Sequence, residues 1–284
     1  VTMMSQPLLV PNSSLHRYVR AGHRRVDGWL SRLDALLIAT VGQWQNAQGI
    51  SGSVGEIGVH HGRLFILLAL LRKREERAFA IDLFDAQEFN VDQSGQGDET
   101  AFHNNLVRFG IEPASIEVVK GNSLDLAWTG LAGRLGPSAR LFSIDGGHTA
   151  EITRHDLGIA DDGLADDGVI VLDDYFNPEF PAVSEGLCRF MFERPGTLAP
   201  FAIGDNKLLL ARPDWAGRYR GVLADAVPLR HFVRETELFG APVTVFRTPR
   251  TPMQFIRQTS LTRRLRSHPL GQALKPIIRR FVQG

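Results

Sequence analysis

Cysteine is nearly absent from this chain of 284 residues. Cys188 stands alone, which excludes an internal disulfide framework and fits a reducing compartment. Net charge is nearly absent as well. Lys and Arg number 32 against 31 Asp and Glu, a formal +1, so no nucleic-acid partner is expected of the molecule as a whole. Long hydrophobic runs are missing too. The longest, Leu64–Leu71, is far short of the roughly 20 residues of a membrane span. No cationic region followed by an apolar stretch opens the chain, so no secretory signal is legible and a cytoplasmic protein is expected.

What is there is enough length for a full core and an ordered alternation of strands and helices. Val26, Trp29, Leu30, Leu33, Leu36, Leu37, Val41 and Trp44 follow helical spacing, which predicts an amphipathic N-terminal helix. Short apolar runs at Ser53–Val59, Ala78–Leu83, Ile116–Val119, Arg140–Ile144 and Gly168–Leu172 read as strands. Helical patterns lie between them, near Arg63–Leu71, Glu99–Phe109, Leu124–Leu135 and Ala150–Leu164. That order predicts an α/β fold, a Rossmann-like, doubly wound and mostly parallel sheet. A further helix near Ala182–Phe192 precedes Phe201–Ile203, Gly204-Asp205-Asn206 and Lys207–Leu210, which read as a closing antiparallel hairpin. The expected organisation is an N-terminal helical segment over 1–50, a catalytic domain over 51–212 and an extension over 213–284.

The extension carries one more candidate strand, Val243–Phe246, and no Asp or Glu from residue 238 onward. Arg247, Arg250, Arg257, Arg263, Arg264, Arg266, Lys275, Arg279 and Arg280 make it a basic tail beside an apolar stripe of Leu270, Leu274, Ile277, Ile278 and Phe281. Two readings stay open. The tail is a helix packed on its own domain or on a second copy in a homo-oligomer, or it contacts a membrane surface or a polyanion.

Chemistry-bearing residues fall at the strand ends. Glu56-Ile57-Gly58-Val59-His60-His61-Gly62 closes the first strand. Gly58 permits a tight turn and close approach to a ligand, and Gly62 is expected to open the next helix. The spacing is not the Gly-x-Gly-x-x-Gly of dinucleotide folds. An acid here suits the ammonium end of a ligand such as S-adenosylmethionine. Asp82 ends the second strand, where such folds present an acid to ribose hydroxyls. Phe84 and Ser123 are candidates to flank and meet the adenine, and His60 and His61 are expected to point apart around the methionine pocket. The fourth and fifth strands end in Asp145-Gly146-Gly147-His148 and Asp173-Asp174-Tyr175. Clustered carboxylates at adjacent strand ends invite a hard divalent cation; the alternative is that Asp145 orients the cofactor while Asp173 and Asp174 cap the next element. His148 reads as a general base or as a helix-start residue bonded to backbone.

Glu56–Val59, Ala80-Ile81-Asp82, Ile144–His148 and Leu172–Tyr175 together resemble class I S-adenosylmethionine-dependent methyltransferases, over roughly residues 26–212. More narrowly they resemble the metal-dependent O-methyltransferases of macrolide, aminocoumarin and polysaccharide sugars. The resemblance implies Mg2+ held by Asp145, Asp173 and Asp174, with His148 or an aspartate as base and Asp145 at the reaction centre. It also implies a sugar or glycoside as acceptor, and a lid over residues 84–98. Rival readings are a methyltransferase of catechol-like substrates and a non-catalytic cofactor-binding module with a membrane-surface tail.

Overall fold

The computed structural model describes residues 13–91 and 93–249. The tail from Arg250 onward, with its apolar stripe, and Asp92 of the expected lid lie outside the described residues.

Two helices open the fold, a short α1 (Ser14–Arg20) and a long α2 (Arg32–Ala47). The alternation then runs β1 (Ser53–Ile57), α3 (Phe65–Leu71), β2 (Ala78–Asp82), α4 (Glu99–Arg108), β3 (Ile116–Lys120), α5 (Trp128–Leu135), β4 (Ala139–Ile144), α6 (Ala150–Gly163) and β5 (Leu164–Leu172). It closes with α7 (Pro181–Glu193), β6 (Ala199–Ile203), β7 (Leu208–Ala211), α8 (Pro213–Ala226), β8 (Phe232–Leu238) and β9 (Ala241–Phe246). The nine strands form one sheet in the order β3-β2-β1-β4-β5-β7-β6-β9-β8. β1 to β5 pair in parallel, and β7 joins β5 antiparallel. The doubly wound sheet with a terminal antiparallel hairpin is therefore the observed fold.

Alternation along each strand divides the core. In β2, Ala78 and Ala80 face one side while Phe79 and Ile81 face the other, as the two-residue period of a strand requires. The first side is covered by α1 to α4 and α8, the second by α5 to α7. No helix among the described residues is long and apolar enough to cross a membrane.

Several expectations need correction. The N-terminal helix begins at Arg32, not near Val26, because Ser31 caps it by accepting a hydrogen bond from the Asp34 N–H and Gly28 holds φ at +126°. Trp29 is thereby left on the surface and not in an apolar stripe. The helices α1 and α8 were not legible. The sheet continues past residue 212, where Val243–Phe246 was expected as one more strand. β9 pairs with β6 and carries β8 beyond it, so the expected boundary crosses a continuous sheet.

Candidate active site

The register aligns Ile57 with Ile81 and Ile144, and Ile144 with Leu172. The residues just past those positions therefore emerge along one edge, where the sheet reverses its winding between β1 and β4. A cavity of about 650 Å³ opens there, lined by Gly58, Asp82, Ser123, Asp145, His148, Asp173 and Asp174 among others.

Gly58 is required by geometry. Its φ is +81°, and a Cβ at that position would lie 1.8 Å from the Asp145 carbonyl oxygen. Asp82 accepts hydrogen bonds at one carboxylate oxygen from the N–H groups of Val59 (2.7 Å) and His60 (2.9 Å), and at the other from Phe84 N–H (2.6 Å). It organises the turn and reaches the cavity at the same time. Ser123 lines the wall beyond β3, its carbonyl 3.0 Å from His155 Nε2.

Three expected cofactor residues do not line the cavity. Glu56 is buried on the α2–α3 side, where one oxygen accepts from Ser143 Oγ at 3.0 Å and the other has no protein partner. Burial holds its pKa up at about 8. Gly62 lies ahead of α3, which starts at Phe65, and a Cβ there would meet the Phe102 ring at 2.8 Å. Its need is close packing, not a ligand. Phe84 is fully buried and packs on Phe102, ring centres 5.6 Å apart, so it cannot flank a base in the cavity. His60 and His61 also depart from expectation. Their rings stack at 3.8 Å, and only His60 reaches the cavity.

The carboxylates converge, but not as three equal ligands. Lys207, almost wholly buried, places Nζ against Asp173 and 3.6 Å from Asp145. Burial disfavours its charge, yet Asp173 and Asp145 outweigh that cost and hold the ammonium well above its ordinary pKa. The other Asp173 oxygen accepts from Asn206 Nδ2 and from the Asp174 N–H, each at 2.8 Å. Asp173 is thus spent on protein donors. Among the described residues, the side chains that offer ligand atoms within 4.8 Å of one another are Asp145, His148 and Asp174, two carboxylates and an imidazole, and Asp173 is not in that group.

His148 is held on three sides. Its ring stacks on Phe180 at 3.8 Å, Nε2 lies 3.1 Å from Asp174, and Nδ1 lies 2.9 Å from Ser94 Oγ. An ionised carboxylate only accepts, so the neutral ring donates from Nε2 and turns the Nδ1 lone pair toward Ser94. Burial would raise the Asp174 pKa, but hydrogen bonds from His148, Asn177 and Asn206 outweigh it and bring it down to about 2. Asp174 itself sits at φ +56°, a conformation that Asp tolerates better than most residues.

Lys207 and Asn206 escaped sequence reasoning, because a hairpin turn gives no sign of what it will meet. Asp34 places them. From the first turn of α2 its carboxylate accepts from Asp205 N–H at 2.9 Å and Asn206 N–H at 3.2 Å. Gly204 fits because any Cβ there would fall 1.9 Å from Asp34 Oδ1. Buried away from water, Asp34 has its pKa raised to about 7.

Residues 56–175 match a family model described as a methyltransferase domain. No curated protein sequence matches the chain. Among solved structures, the O-methyltransferase NovP aligns with a TM-score of 0.51 at 16% identity, over 64% of this chain and 81% of that one. CalS11, a TDP-rhamnose 3'-O-methyltransferase of calicheamicin biosynthesis, aligns with a TM-score of 0.50 at 17% identity, over 72% and 89%. TomG of Streptomyces achromogenes, an O-methyltransferase of tomaymycin synthesis solved with S-adenosylmethionine, gives 0.50 at 18% identity, over 72% and 92%. At these identities the likeness is one of fold.

Proposed function

We propose, from the premise that the chain is an enzyme carrying a methyltransferase domain over residues 56–175, that it transfers a methyl group from S-adenosylmethionine to a hydroxyl of a sugar or glycoside. The observation that carries the reading is the His148–Asp174 pair, 3.1 Å apart, on the floor of the strand-end cavity. Gly58, Asp82 and Ser123, from the ends of three successive strands, all line that cavity, where ligands of such folds bind. When bound, S-adenosylmethionine supplies an electrophilic methyl group on a sulfonium.

An unassisted alcohol is a poor nucleophile at neutral pH, so its proton must be removed as the oxygen attacks. His148 supplies the base at Nδ1, and an acceptor hydroxyl takes the place that Ser94 Oγ holds at 2.9 Å. Asp174 fixes the tautomer and steadies the imidazolium that forms. Asp145 and Lys207 set the charge beside the acceptor oxygen. Phe180 keeps the ring from turning.

A second reading is favoured by the Asp145–His148–Asp174 cluster, whose ligand atoms lie within 4.8 Å of one another. These three would hold a divalent cation, which would lower the pKa of a coordinated hydroxyl. The imidazole makes the set less selective for magnesium than three aspartates would be. Labelled methyl transfer into extracts fractionated as small glycosides, polysaccharide and glycolipid tests the function. Repeating it after chelation, with Mg2+ or Mn2+ restored, separates the two readings: full activity in chelator leaves His148 as base. Incorporation only into phenols would overturn the sugar acceptor.

A further inference from the structure

The cavity has two chemical zones. Its interior is acidic: Asp82, Asp145, Asp173 and Asp174 line it with Glu179 at its exposed margin, and among the described residues no Lys or Arg does. Lys207 offsets one of these charges from behind. A divalent cation together with the cofactor's sulfonium would offset part of the rest. A cleft of one sign repels ligands of that sign. A diphosphate entering here would find neither an Arg fork nor a Lys to hold it, and several carboxylates against it.

The mouth is apolar. Trp29 is 68% exposed, Val91 69% and Phe89 56%, and all three border the cavity. Trp29 arrives from the segment before α2, with its ring centre 5.5 Å from that of His60. Phe89 and Val91 arrive from the loop after β2. A single exposed aromatic is ordinary, but three large apolar side chains around one opening make a surface suited to an apolar ligand.

We propose, building on the sugar reading above, that the acceptor is an uncharged glycoside with an apolar aglycone, and that sugar nucleotides are rejected. Its sugar enters toward His148, and its aglycone lies against Trp29, Phe89 and Val91. The acidic interior selects against the diphosphate, and the rim selects for the aglycone.

The test uses the full chain and labelled S-adenosylmethionine, with and without Mg2+. A panel of neutral sugars is offered in three forms: octyl glycoside, methyl glycoside and nucleoside diphosphate ester. For the accepted sugar, kcat/KM for the octyl form is expected about tenfold above the methyl form, the equivalent of about 1.4 kcal/mol, with the nucleotide form lowest. Trp29→Ala and Phe89→Ala each bring the octyl-to-methyl ratio toward one. Both side chains lie outside the core, so circular dichroism and thermal melting are expected to match the wild type. Preference for the nucleotide form, or an octyl-to-methyl ratio near one in the wild type, would overturn the proposal. So would a ratio that neither variant moves. Transfer to phenols, or to no carbohydrate while S-adenosylhomocysteine still binds, instead overturns the sugar reading beneath it.

Discussion

Lys207 shows how one side chain reorganises a site. Without it Asp173 would be a buried carboxylate with two neighbouring acids and no cation. Lys207→Met is expected to cost about 3–5 kcal/mol in urea unfolding, the range for breaking one half of a buried pair. The double variant with Asp173→Asn should recover part of that loss, because it removes the stranded charge as well. For His148 the expectation is kinetic. His148→Ala should lower kcat by about 10²–10⁴-fold, the usual worth of a general base, with the melting temperature close to wild type. At this scale the sequence exposed what a strand end exposes. Gly58, Asp82, Asp145, His148, Asp173 and Asp174 follow strands, and the pleat with its register brings them to one cavity. Glu56 shares the motif but falls one residue inside the strand, where the alternation turns it into the core.

Turns rather than strands decide what happens at the next scale. The β6–β7 turn carries Asn206 and Lys207 to the carboxylates, and the first turn of α2 holds it there through Asp34. Gly204→Ala should therefore act far out of proportion to one methyl group. The added Cβ would meet a buried carboxylate oxygen at 1.9 Å, the turn must move, and Lys207 moves with it. Thermal melting and methyl transfer are both expected to fall, whereas Gly217→Ala, inside α8 with open space around its Cα, should raise melting slightly and leave methyl transfer unchanged. None of this was legible, since a Gly-Asp-Asn turn announces a reversal and not its neighbour. The loop after β2 was more readable. Its Gly and polar content agreed with a loop, the covering role being what the resemblance implied, and it borders the cavity through Gln87, Asn90, Ser94 and Gly95. Asn90 stitches it by donating to the carbonyls of Ser94 at 2.9 Å and Gly95 at 3.2 Å.

Across the whole molecule, burial of acids sets the response to pH. Glu56 at about 8, and Asp34 and Asp156 at about 7, all have pKa values raised chiefly by desolvation. In each case the folded state keeps a proton that the unfolded chain has released. Stability from these groups is thus full below their ordinary carboxylate pKa values and lost as pH climbs through 7 to 8. Melting temperature is expected to decline between about pH 5 and pH 8, and Glu56→Gln should flatten the upper part of that decline. Glu76 acts the other way. Burial pushes its pKa up, but hydrogen bonds from Arg140, Lys73 N–H and Gly52 N–H outweigh it, so its contribution is lost on acidification. The fold at this scale was largely legible, because alternation of strand and helix, unlike a long-range turn contact, is a local pattern. Of the sheet's extension, β9 was legible as Val243–Phe246, but β8 was not, since it is mostly exposed and lacks the apolar period of a core strand.

The clasp between Asp34 and the β6–β7 turn joins residues more than 170 positions apart. A growing chain makes Asp34, Asp145, Asp173 and Asp174 before it makes the turn and the ammonium that let the last three be buried together. Contacts so distant in sequence close late, after the loop entropy between them has been overcome. Until Lys207 arrives, mutual repulsion keeps the three acids apart and wet, so this edge of the sheet is expected to gain hydrogen-exchange protection last during refolding.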